Sequence, residues 1–196
     1  MAAPNPRRSM ELLQPQVDAL AAAIEALTPS QWDTKSNCAG WQLSDLVAHV
    51  TRVGESIMLA TERAISGEDT PAFGPTMLPR GEEIKASGPA ACAVLLREEQ
   101  AEFATLIGDV SDEQLETLTF PHPMGPRSLN WYCSQKLSEV AFHLWDIRHS
   151  LGANAPLETD LARHLLGHLL NPERPLLARK PLEGGPLTFV LTDGAS

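Results

Sequence analysis

An all-α bundle with a short extended tail is the fold class that the sequence predicts, and three observations carry it. Apolar residues recur at three- and four-residue intervals in five separate segments, the period of one helix face. The stretches between them are rich in Pro, Gly, Ser and Asn, which stop helices and form turns. Only Leu187-Thr-Phe-Val-Leu-Thr192 has the short, β-branched pattern of a strand, and one strand cannot make a sheet by itself.

The first helix is expected from about Met10 to Leu27, with Leu12, Leu13, Val17, Leu20, Ile24 and Leu27 on its stripe and Thr28-Pro29-Ser30 as its stop. A loop containing Trp32, Cys38, Gly40 and Trp41 leads to a second helix at Leu43, whose stripe is Leu43, Leu46, Val50, Val53, Ile57 and Ala60. Ser66 to Gly81 reads as a long loop, and loops of that length inside a domain are more often functional than incidental. The third helix covers roughly Pro89 to Ile107, with Val94, Leu95 and Phe103 turned inward. A short helical turn is expected within 111–119, followed by loop from Phe120 to Pro126. The fourth helix, about Leu129 to Leu151, carries Leu137, Val140, Leu144, Ile147 and Leu151 and ends at Gly152, a suitable residue just past a helix. The fifth spans about Glu158 to Leu170 and is closed by Asn171-Pro172. The expected organisation is a helical bundle over residues 1–175 and a tail over 176–196.

Composition narrows the function classes. With 196 residues and 43% hydrophobic residues the chain suits one domain with a real core. A net charge of −10 and the lack of any Lys/Arg cluster argue against nucleic acid as a partner. No apolar run approaches the roughly 20 residues of a membrane span, and Met1 to Met10 lacks the apolar stretch of a signal peptide. Three cysteines without CxxC spacing fit a reducing compartment, so a cytoplasmic location is expected; the acidic balance reads as an enzyme, and a monomer or homodimer is expected.

One constellation carries chemistry. Glu139-Val-Ala-Phe-His143 sets a carboxylate and an imidazole one helical turn apart on the same face. Each lies one residue before a core position, Val140 and Leu144, and His49 likewise lies one before Val50. If the second and fourth helices are neighbours, the three side chains share a flank and converge. Two His and one Glu suit a divalent ion and leave positions open for water or substrate. Zinc accepts this mixture, and nickel, manganese and iron tolerate it too. On spacing alone, a solvated surface pair is the commoner meaning of a Glu and a His four residues apart. His122, His149, His164 and His168 read as ordinary polar residues; His164 and His168 share the four-residue spacing but show no third partner.

The words around these residues add to the case. Cys38-Ala-Gly-Trp41-Gln-Leu-Ser-Asp45-Leu-Val-Ala-His49-Val resembles the second-helix entry of the mycothiol-dependent maleylpyruvate isomerase family, a member of the DinB-like group of helical metalloproteins. Glu139-Val-Ala-Phe-His143-Leu-Trp145-Asp146-Ile-Arg148-His-Ser-Leu-Gly152 is similar to its later motif, about 90 residues on. The resemblance extends over about residues 10–170 and implies a DinB-like four-helix bundle with an extra helix. It also implies His49, Glu139 and His143 as the metal ligands. Gln42 departs from the Thr or Ser that often caps this helix, while Asp45 keeps the third helical position. Family members commonly add a sterol-carrier-like sheet domain, and Leu187 to Thr192 resembles its opening strand.

The resemblance implies a reaction in which a divalent metal, zinc or else nickel, lowers the pKa of a low-molecular-weight thiol, mycothiol or a similar one. The thiolate then adds to an electrophilic small molecule, for isomerisation or S-transfer. Two other readings stay open: a metal-dependent hydrolase that activates water, and a metal-binding bundle without catalysis. Around the ligands, Asp146 either orients His143 or pairs with Arg148 or Lys136 on the surface. Arg80, in the Gly/Pro loop, is the candidate catalytic residue for meeting a substrate carboxylate. Arg148 reads as structural, Trp41, Trp131 and Trp145 as core or pocket wall, and Cys133 as core.

Overall fold

The computed structural model describes residues 5–68, 77–122, 125–153 and 156–170. In chain order they form α1 (Pro6–Glu25), α2 (Pro29–Trp32), α3 (Leu43–Ser66), α4 (Met77–Gly108), α5 (Asp112–Thr117), β1 (Thr119–Phe120), β2 (Arg127–Ser128), α6 (Leu129–Ser150) and α7 (Thr159–Leu169). The expected strand over Leu187 to Thr192 lies outside the described residues.

Local chemistry explains the helix ends. Asn5 accepts from the Arg8 N–H at the start of α1, with Pro6 in the first helical position, where a missing N–H costs nothing. At α3 the Gln42 backbone N–H donates to Asp45 Oδ2 at 2.9 Å, so the carboxylate at the third position satisfies a donor the helix leaves orphaned. Ser128 Oγ accepts from Trp131 N at 3.2 Å to open α6. Gly152, at φ 84°, takes the left-handed conformation that terminates it.

The long helices α1, α3, α4 and α6 form the bundle. α1 packs on α4 and α6, and α3 packs on the same two, so the four make a closed ring with α3 and α6 adjacent. That adjacency is the condition for His49 to meet Glu139 and His143. Leu13, Leu20, Leu46, Ile57, Phe103 and Leu137 are buried between them. The smaller α5 and α7 both lie against α6.

Several boundaries differ from the sequence expectation. α3 runs on to Ser66 and closes at Gly67, φ 74°, while α4 begins at Met77, so the last part of the expected loop, 77–81, is helical and Arg80 with it; residues 69–76 of that loop lie outside the described residues. α4 is bent at Gly88, whose φ of 82° and ψ of 172° interrupt it before Pro89. The expected third helix is therefore only its second arm. Val94 is turned outward at 49% exposure, and Cys92 and Leu96 fill the core instead. Leu151 is 40% exposed, because α6 ends at Ser150 and Leu151 is its C-cap rather than part of the stripe. Phe120 and Arg127 pair across the expected 120–126 loop as a two-residue ladder. Among the described residues no helix is long and apolar enough to cross a membrane.

Candidate metal centre

His49 sits on α3 and Glu139 and His143 on α6, each beside a buried core residue: Val50, Val140 and Leu144. Packing those core residues turns all three flanks toward the α3–α6 seam. Glu139 Oε2 lies 3.5 Å from His49 Nε2 and 3.3 Å from His143 Nε2. The donor atoms of the trio all lie within 4.8 Å of one another. Metal–ligand bonds of 2.0–2.2 Å in a tetrahedron put neighbouring donors about 3.3–3.6 Å apart. Two edges of this trio already have that length, and a nitrogen–nitrogen–oxygen set is what zinc and nickel accept. The residues fit a divalent ion.

Burial by itself would raise the Glu139 carboxyl, but the hydrogen bonds and charge of His143 and His49 hold it far below the usual carboxylate range. It is a ligand-ready carboxylate. Burial pushes His143 down, and Glu139 and then Asp146 outweigh it and raise the imidazole above its ordinary value. Asp146 Oδ2 stands 3.0 Å from His143 Nδ1, which directs Nε2 toward Glu139. Of the two readings of Asp146, orienting the imidazole is the one its contacts match. The His49 ring packs on Trp41 at 4.9 Å between centroids and meets the edge of the His143 ring at 5.2 Å.

Sequence reasoning passed over three participants. Cys38 Sγ donates to Asp146 Oδ2 at 3.5 Å, and burial, then the Asp146 charge, pushes this thiol up to about 11. Its hydrogen bond holds the Asp146 carboxylate in place. Gln135 Nε2 donates to Glu139 Oε1 at 2.5 Å, and its four-residue spacing from Glu139 was visible in the sequence. His168, read as an ordinary polar residue, is 1% exposed and faces Gln135 Oε1 at 3.1 Å. No local pattern could have linked it to a helix 33 residues away.

Arg80 is engaged elsewhere. Its guanidinium forks onto the Glu55 carboxylate, with Nε–Oε2 at 2.9 Å, and reaches Glu83 at 3.3 Å, tying α4 to α3. Beside His49 opens a cavity of about 300 Å³ whose described lining includes Trp41, Asp45, Arg52, Gly81 and Lys85, but not Arg80. Arg52 Nη2 lies 3.4 Å from His49 Nδ1, and Lys85 Nζ is 2.6 Å from Asp45 Oδ1. Trp41 is thus pocket wall. Trp145 lines a second cavity of about 250 Å³, where Arg148 also lies, on the opposite flank of α6. Trp131 and Cys133 are core.

A four-helix bundle with its extra helix against α6 is the DinB-like fold. The profile of the mycothiol maleylpyruvate isomerase N-terminal domain matches residues 13–148, well over half of the chain, and the chain belongs to that family. The crystal structure of the mycothiol-dependent maleylpyruvate isomerase superposes with a TM-score of 0.71 at 19% identity, over 86% of this chain and 70% of that one. A point mutant of that isomerase gives the same TM-score at 18% identity and the same coverage. YfiT from Bacillus subtilis, described as "a probable metal-dependent hydrolase with an unusual four-helix bundle topology", superposes with a TM-score of 0.62 at 22% identity, over 76% of this chain and 89% of its own. These three likenesses are of fold. No curated protein matches the chain at a significant level.

Proposed function

We propose that this chain is a metal-dependent enzyme of the mycothiol-dependent maleylpyruvate isomerase type, bringing a low-molecular-weight thiol together with an electrophilic small molecule for isomerisation or S-transfer. The supporting observation is the meeting of His49, Glu139 and His143 across the α3–α6 seam at tetrahedral-edge distances, in a chain of this family. In this reading the three side chains hold a divalent ion, zinc or else nickel. When bound, such an ion keeps a coordinated thiol as its thiolate at neutral pH, the nucleophilic form.

The chain's own residues do the rest. Asp146 fixes the face that His143 presents, and Cys38 fixes Asp146. Trp41 and Arg52 wall the cavity next to His49, an apolar surface and a cation suited to a small organic anion. In this reading the nucleophilic sulfur comes from the thiol cosubstrate, while Cys38 donates to Asp146. Arg80 takes part only if a substrate carboxylate displaces Glu55 from its guanidinium.

Elemental analysis of the purified protein beside His49→Ala and His143→Ala variants tests the site: metal is expected in the first and lost in both variants. Equal content in all three ends the reading. The metal-loaded protein is then offered mycothiol with an electrophile, and separately an ester or amide with no thiol. Turnover of the second pair alone replaces the transferase reading with the hydrolase one, as YfiT is described. Tight metal binding with neither turnover leaves a binding protein.

A further inference from the structure

The two oxygens of Glu139 face different partners. Oε2 looks toward His49 Nε2 and His143 Nε2, at 3.5 and 3.3 Å. Oε1 accepts from Gln135 Nε2 at 2.5 Å. Gln135 stands one turn earlier on α6, so the amide lies directly over the carboxylate. A carboxylate can only accept, so it is the NH₂ end of Gln135 that faces Glu139 and the amide oxygen that faces His168 Nε2, 3.1 Å away on α7. His168 therefore carries its proton on Nε2 and donates. The imidazole is itself fixed: it is 1% exposed and packs 5.9 Å from the Trp131 ring. α7 lies beyond residues 13–148, the segment the family profile matches.

We infer that Gln135 and His168 are positioning residues of the metal centre, holding Glu139 as a single-oxygen ligand through Oε2 and making α7 part of that centre. The inference rests on the metal reading above. The terminal torsion of a Glu side chain has a broad, two-fold well, so an unheld carboxylate swings either oxygen, or both, toward an ion. Two-oxygen binding would fill a position that substrate or thiol needs, and the free rotor would have to be ordered on binding. Gln135 removes both options by occupying Oε1. His168 gives Gln135 a single orientation, because its donor leaves the amide oxygen one partner to meet.

The test measures zinc affinity by competition with a chromophoric chelator, and urea unfolding of the chelator-treated proteins. Gln135→Leu is expected to weaken zinc binding roughly 10–100-fold, the usual cost of losing a partner of a metal ligand. His168→Phe keeps a ring of similar size without the donor and is expected to weaken binding about tenfold on the same grounds. His168→Gln, whose amide N–H reaches the same acceptor, is expected to restore most of that loss. Unfolding of the chelator-treated proteins reads separately what losing the His168 acceptor costs the fold; a merely structural role would lower that stability and leave zinc affinity at the wild-type value. Wild-type affinity in both Gln135→Leu and His168→Phe overturns the inference. Equal loss in His168→Phe and His168→Gln also overturns it, because the donor would not be what acts. Failure of the wild-type protein to bind zinc at all overturns the metal reading together with this one. Zinc binding that His49→Ala abolishes and Gln135→Leu leaves unchanged sinks this inference alone.

Discussion

Lys136 and Glu99 place an ion pair inside the bundle, with side chains only 2% and 7% exposed. Burial pushes the Glu99 carboxyl up and the Lys136 ammonium down, and their mutual contact opposes both shifts. The ammonium also lies 4.8 Å from the centre of the Phe103 ring. A pair of this kind is costly to break and cheap to replace whole. Lys136→Met is expected to destabilise the protein by about 3–5 kcal/mol, because it strands a buried carboxylate, whereas Lys136→Met combined with Glu99→Leu should recover most of that loss. Urea unfolding of the two variants decides it; equal stability would mean the charges are not coupled. Next to the candidate metal centre the same scale gives a different readout. Asp146→Ala removes the acceptor at His143 Nδ1, and zinc affinity should fall about 10–100-fold, measured by chelator competition. Cys38→Ser keeps a donor for Asp146 and should leave affinity near wild type.

At the scale of elements, the stripes of α1 and α3 were legible because burial on one face imposes a 3.6-residue period, whereas the first half of α6 is buried on every side and its stripe shows only from Leu137 through Val140 and Leu144 to Ile147. The flank argument for His49, Glu139 and His143 combined that period with the condition that the two helices be neighbours, and in the structure the three side chains meet across the α3–α6 seam. What was not legible has identifiable causes. The first arm of α4 is masked by its Gly/Pro surroundings, so Arg80 read as a loop residue while its pairing with Glu55 makes it a brace between α3 and α4. β1 and β2 have two residues each, too few to show alternation. Gln135 and His168 belong to one network only through the packing of α7 on α6, which no sequence window contains. Two predictions live here. Gly88, at φ 82° and ψ 172°, occupies a region open essentially to glycine, with nothing within 4 Å of where a Cβ would go. Gly88→Ala should therefore cost about 1–3 kcal/mol through backbone strain and not through a clash, read by thermal melting. Asp45 supports the start of α3 and pairs with Lys85: burial alone would raise its carboxyl, yet Lys85 and the Gln42 N–H lower it. A depressed folded-state pKa contributes stability above the unfolded value of about 3.9 and loses it as pH falls through the folded one. The melting difference between wild type and Asp45→Asn should be steady from about pH 5 to 8 and shrink below about pH 4. A difference unchanged down to pH 2 would refute the pairing.

The whole molecule is a ring of four helices, and the candidate metal centre sits on one of its four seams. His49 is the α3 half of that seam and Glu139 and His143 the α6 half, so an ion bound there joins elements that are far apart in sequence, with Arg80–Glu55 bracing α3 on its other side. Gln135 and His168 extend the same linkage to α7. Since the unfolded chain cannot present these donors together, binding an ion there would be coupled to folding. At a free metal concentration 100 times its Kd, the folded state should gain about 2.7 kcal/mol. For a domain of this size each kcal/mol moves Tm by about 2–4 °C, so a rise of roughly 5–10 °C is expected on adding zinc, reversed by a chelator. His49→Ala leaves α6 intact but cuts the α3 half of the seam, and its Tm should not respond to zinc. A zinc-induced rise of equal size in His49→Ala would place the ion elsewhere on the molecule.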